Sequence, residues 1–167
     1  MEISVKYLPF AIVALLSVTL CVTSYLTISQ GHVSGSAPYI SDTGTLPPES
    51  CIFGQALNLL WVMISYAMYI KFRQISYLLN TYNMEQYATM NKSTFIIGLL
   101  AAFGSSIVAN FQETNMFFIH WVGAVMVFGC GSVYQCMQSS GLAVQLLRKH
   151  SAEESQMFNC LAQRKRK

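Results

Sequence analysis

The chain has 167 residues, of which 53% are hydrophobic and only 10% charged, with a net charge of +3 and a mean hydropathy of +0.42. Soluble domains carry about 25% charged residues, so this composition excludes a water-soluble globular fold. It equally excludes disorder and a disulfide scaffold built on five cysteines. A lipid-embedded chain remains.

A bilayer core of about 30 Å takes roughly 20 residues of helix. Four stretches without Asp, Glu, Lys or Arg fit, at about residues 8–28, 52–70, 94–111 and 117–137. Barrel strands would be half as long and alternating, so the fold class is an all-α polytopic bundle of four transmembrane helices. The first span reads as an anchor rather than a cleaved signal, although Val22-Thr23-Ser24 resembles a cleavage site. In the following loop, Asp42-Thr43-Gly44 matches the triplet of aspartic proteases, but that chemistry needs two carboxylates sharing a proton. A turn is expected instead, with Asp42 bonding local backbone and Gly44 supplying a positive φ. Pro47-Pro48-Glu49-Ser50 then reads as a helix start, with the acid at the positive end of the dipole.

Span two places Gln55, Asn58 and Ser65 on one face, which should point into the bundle. In span three Gly98, Ala102, Ser105 and Ala109, spaced four, three and four, form a small-residue face for helix packing. Span four adds Gly123, Ala124, Gly129, Gly131 and Ser132, again read as packing rather than a channel lining. Beyond Met137, the polar run Gln138-Ser139-Ser140-Gly141 precedes a short interfacial turn over 142–147.

All ten Lys and Arg fall before span one, between spans two and three, or after span four. Basic residues stay cytosolic during insertion, so both termini and the middle segment are expected in the cytosol. Residues 1–147 then form the transmembrane domain and 148–167 a basic cytosolic tail. The sequon Asn91-Lys92-Ser93 is expected on the unglycosylated side. The positive charge is an orientation signal, and nucleic-acid binding is not expected. The terminal Arg164-Lys165-Arg166-Lys167 could hold anionic lipid, act as a dibasic retrieval signal, or simply fix topology.

Candidates for chemistry are Asp42, Glu49, Glu113, His120 and His32. They include no His-Glu-x-x-His, no paired His at i, i+4 and no Cys pair of zinc spacing. No catalytic residue, cofactor or metal is therefore expected, and a structural His120–Glu113 pair is. Only Cys51 lies toward the non-cytosolic face, leaving no disulfide partner, and Cys160 in the tail is a candidate for S-acylation.

Two motifs carry a resemblance. Pro38-Tyr39-Ile40-Ser41-Asp42-Thr43-Gly44, with Pro47-Pro48-Glu49-Ser50 and Phe53-Gly54, resembles the first-loop signature of the DRAM (damage-regulated autophagy modulator) family. Ile107-Val108-Ala109-Asn110-Phe111-Gln112-Glu113, followed by His120 and Gly123, resembles its second. The resemblance implies a non-enzymatic integral protein of lysosomal or endosomal membranes that modulates autophagy. Endoplasmic reticulum or plasma membrane is the alternative location. A lipid-handling or phosphoinositide-kinase scaffold is the alternative function. The bilayer is the implied partner, with other membrane proteins beside it. The family pattern has six spans against four here, as in a short isoform, an incomplete gene model or a diverged member.

Overall fold

In the computed structural model, residues 5–33, 39–139, 148–149, 151–152 and 154–155 are described. All described elements are helical. Helix α1 spans Leu8–Ser29, α2 Glu49–Thr81, α3 Ala88–Asn110 and α4 Phe117–Met137. Short 3₁₀ turns stand at Asp42–Gly44 and Glu85–Tyr87. One π-helical turn, Met126–Cys130, interrupts α4.

The surface is inverted relative to a soluble protein. Thr19, Thr23, Thr27, Glu49, Asn91, Thr94 and His120 are buried, while Phe10, Val13, Val18, Tyr25, Phe118 and Phe128 are exposed. In hydrocarbon a side-chain polar group needs an internal partner and an apolar one does not. Four helices are long and apolar enough to span a bilayer. The chain is an integral membrane protein.

The helices pack in chain order, α1 on α2, α2 on α3 and α3 on α4. Among the described residues α1 and α4 make no substantial contact, so the bundle is an open row. The most apolar window is 33% buried in α3 but 17% in α1 and 11% in α4, which makes α3 a central helix. Neighbours run antiparallel. Thr27 of α1 meets Glu49 at the start of α2, Phe72 of α2 meets Asn91 near the start of α3, and Gly104 of α3 faces Gly123 of α4. This places Lys6, Lys71, Arg73 and Lys92 at one end of the row, called here the basic end. Lys149 joins them there by donating to the Tyr82 carbonyl.

Helix α2 departs from the expected span. Its 33 residues measure roughly 50 Å at 1.5 Å per residue, well beyond the hydrocarbon thickness. The charges at Lys71 and Arg73 end the apolar run but not the helix. Ile75 and Leu79, 2% and 1% exposed, continue the buried face and pack against Met84, with Tyr87 and Met90 alongside. The segment between spans two and three is therefore largely a helical hairpin, turned at Asn83 with φ +51°. Helix α3 accordingly starts at Ala88 rather than near Thr94.

Candidate functional site

The densest polar cluster lies where the α1–α2 loop meets the first turn of α2. Glu49 is fully buried there, although acids are almost never so unless paired. Its Oε1 accepts from Thr27 Oγ1 at 3.2 Å and from His32 Nδ1 at 2.5 Å. Oε2 is buried with no hydrogen-bond donor among the described residues. Thr43 Oγ1 donates to the Ile40 carbonyl at 2.8 Å and accepts from Thr23 at 3.1 Å. Thr19, Thr23 and Thr27 recur every four residues on one buried face of α1; Thr23 and Thr27 reach the loop and α2, while Thr19 donates back to the Leu15 carbonyl at 2.7 Å. That i, i+4, i+8 threonine stripe was visible in the sequence and is the signal that would have found the cluster.

The first-loop motif builds this knot. Asp42 Oδ2 accepts from the Tyr39 backbone N–H at 3.0 Å, the local bond expected of a turn. The expected positive φ at Gly44 is not found; the described positive-φ residues are Gly31 and Asn83. Gly44 is needed for room instead, since a Cβ there would lie 2.5 Å from the Phe53 ring. Phe53 is itself 4% exposed and packs with Leu57, Leu60 and Ala109. Gly54 admits α3, because its Cβ would lie 2.9 Å from the Ala109 carbonyl oxygen. Pro48 directly precedes the helix, Ser50 is buried behind Glu49, and Ser41 leads into the 3₁₀ turn. Pro38 lies outside the described residues.

The second motif clamps three helices at the same end. Asn110 donates to Asn58 Oδ1 at 3.1 Å, Ser106 donates to that oxygen at 2.9 Å, and Asn58 returns a bond to Asn110 Oδ1 at 3.2 Å. Phe111 leaves helical geometry with ψ 97°, which frees its carbonyl. His120 Nδ1 lies 2.7 Å from that carbonyl oxygen, and since a carbonyl only accepts, Nδ1 carries the proton. This corrects the expected His120–Glu113 pair: a backbone acceptor held in place by a helix end takes the imidazole, and Glu113 Oε2 is buried without a described partner. Gln112 and Gln55 line a cleft of about 260 Å³ with Asn58 and Asn110. Gln55 is thus exposed at its mouth rather than directed inward, and Ser65 is half-buried. Among the described residues no three His, Cys, Asp or Glu side chains converge.

The small residues of α3 divide between two seams. Gly98 stands where a Cβ would meet Met68 of α2 at 2.7 Å and Tyr134 of α4 at 2.9 Å. Ala102 and Ala109 are buried, and Ser105 is half-buried with its hydroxyl donated back to the Ala102 carbonyl at 2.6 Å. Sequence reasoning missed Gly104, whose Cβ would lie 2.7 Å from the Gly123 carbonyl oxygen and 2.9 Å from the Val127 nitrogen. Of the span-four glycines, Gly123 is at a close approach, whereas a Cβ at Gly129 would make only an ordinary contact with Val125 at 3.9 Å and Gly131 has open space beside it.

The Frag1/DRAM/Sfk1/Cwh43P N-terminal domain matches residues 4–160. The chain belongs to that family. It is 40% identical over 135 residues to DNA damage-regulated autophagy modulator protein 2 of Mus musculus, covering 80% of this chain and 49% of the mouse protein. It is 36% identical to DNA damage-regulated autophagy modulator protein 1 of Homo sapiens, covering 80% of this chain and 56% of that protein. Modulator of macroautophagy TMEM150B-B of Xenopus laevis is 39% identical over 75% of this chain and 52% of its own length. The chain spans about half the length of the curated relatives it matches. No solved structure matches it. Within this DRAM-family chain, both signature motifs do the same physical work, holding loop and helix ends together by buried polar bonds and glycine contacts.

Proposed function

We propose that this chain is a non-enzymatic modulator of autophagy in endolysosomal membranes, with both termini in the cytosol. The observation that carries the reading is its 80% coverage by relatives named as autophagy modulators. The geometry supports it: Asp42 is engaged in a bond within the loop, and Asn110 and His120 in bonds that join helices. Catalysis instead needs an acid, base or nucleophile free to meet a substrate.

Overexpression should raise lysosome-dependent turnover of the lipidated autophagosome marker. Asp42→Ala removes one loop hydrogen bond, costing about 1 kcal/mol, so protein level and flux should fall together. Unchanged flux on overexpression sinks the proposal. So does loss of flux in Asp42→Ala or His120→Ala at normal abundance and location, which would mark those side chains as chemically active.

The orientation rests on the gathering of described Lys and Arg at the basic end, combined with the retention of positive charge in the cytosol. A sequon carried in a Gly/Ser spacer inserted after Gly35 should gain glycosidase-sensitive mass. Asn91 should gain none, and its amide nitrogen is already committed to the Phe72 carbonyl and Ser76 Oγ at 3.1 and 2.9 Å. The opposite pattern on a glycosidase gel would invert the topology.

A further inference from the structure

At the basic end a groove of about 650 Å³ lies between the start of α1 and the stretch of α2 around residues 67–74. Ligand pockets run from about 300 to 1,000 Å³. Leu8, Ala67 and Ile70 supply apolar wall, and Lys6, Lys71 and Gln74 also line the groove. Lys6 rests over the Tyr7 ring, 5.0 Å from its centroid. Among the described residues no carboxylate pairs with either lysine, the one ion pair being His32–Glu49 at the far end of the bundle.

This combination specifies its occupant. The groove lies between two helices long and apolar enough to span a bilayer, where the apolar run of α2 ends at Lys71. Water satisfies the lysines but not the apolar wall. A packed helix satisfies the wall but leaves two ammonium groups at its border without counter-charge. A phospholipid satisfies both, laying an acyl chain along Leu8, Ala67 and Ile70. Its phosphate reaches the two lysines, and the Gln74 amide can donate to an ester carbonyl. We propose that this groove binds an anionic glycerophospholipid of the leaflet at the basic end.

The Arg164–Lys167 tail lies outside the described residues, and the test must separate its charge from that of the groove. The purified full chain in detergent is incubated with equimolar phosphatidylserine and phosphatidylcholine, and retained lipid is read by native mass spectrometry. Phosphatidylserine should be favoured on the order of ten-fold, from two ammonium groups beside one anionic headgroup. Lys6→Gln with Lys71→Gln should bring the ratio near unity while melting in phosphatidylcholine stays as in wild type, since both side chains are exposed. Ala67→Trp, which fills the groove and keeps both charges, should reduce retention of both lipids. Replacing Arg164, Lys165, Arg166 and Lys167 with Gln should leave the preference intact. Equal retention by the wild type overturns the proposal. A preference that survives the double lysine change, or one that disappears with the tail charges alone, overturns it as well.

Discussion

Gly104→Leu should destabilise the protein by about 3 kcal/mol or more, at the upper end of what overpacking costs. Even the first added atom, a Cβ, falls 2.7 Å from a carbonyl oxygen and 2.9 Å from a backbone nitrogen of α4. Backbone cannot rotate aside, so α3 and α4 must separate along their contact. In lipid, helix association depends on such close van der Waals approach rather than on expelling water. The intrinsic preference of helices for Ala over Gly works the other way, by about 1 kcal/mol, so a net loss in Gly104→Ala reports packing directly. Gly123→Ala should behave similarly, because its Cβ would lie 2.9 Å from Ile107 and 3.0 Å from the Gly104 carbonyl. The two changes share one seam, so their combined cost should be less than the sum. Once the first methyl has pushed the helices apart, the second meets less. Leu at Ile96, which faces outward at 48% exposure, should change stability by less than about 0.5 kcal/mol. Thermal unfolding in detergent checks each of them. Equal losses at Gly104 and Ile96 would mean that the α3–α4 seam has been misplaced.

Glu49→Ala should cost about 2–4 kcal/mol. The substitution removes the shared acceptor of Thr27 and His32, leaving the buried Thr27 hydroxyl only the Thr43 carbonyl at 3.5 Å. It also empties the space beneath the α1–α2 loop that the carboxylate fills. His32→Ala should be milder, because its side chain is 27% exposed and water can replace it as a donor to Glu49. Thr27→Val should fall between them, keeping shape and losing one buried donor. Glu49→Gln keeps an oxygen for both donors but places an amide N–H₂ where Oε2 now sits, with no acceptor known there. It should recover only part of the stability. If His32→Ala proves as damaging as Glu49→Ala, the ion pair rather than the threonine network holds the loop.

The membrane spans were legible because the bilayer reads hydropathy residue by residue. The sequence predicts span four at 117–137, and α4 occupies Phe117–Met137. The length of α2 was not legible, because Lys71 and Arg73 end the apolar run while Ile75 and Leu79 prolong the helix by packing on Met84. Tertiary contact replaced lipid as the partner of that face. Asp42 was read correctly as a turn residue, since an Asp side chain reaches its own neighbouring backbone. Gly44 was misread, because its need for room comes from Phe53, nine residues on, in another element.

Sequence alone determined the helical class, the four spans and the segregation of basic residues to particular segments. Each follows from how one residue type partitions between water and lipid, which needs no knowledge of neighbours. Tertiary structure alone decided which side chains meet. Helix α3 lies between α2 and α4, so it has two packing seams. A single spacing pattern over Gly98, Ala102, Ser105 and Ala109 cannot describe both, and Gly104 falls on the seam the pattern omits. The same holds for Glu49, whose burial depends on Thr27 and His32 arriving from α1 and the loop that follows it. Hydropathy is a property of a residue, whereas a hydrogen-bond partner or a close backbone approach is a property of a pair. The pair exists only once the chain has folded.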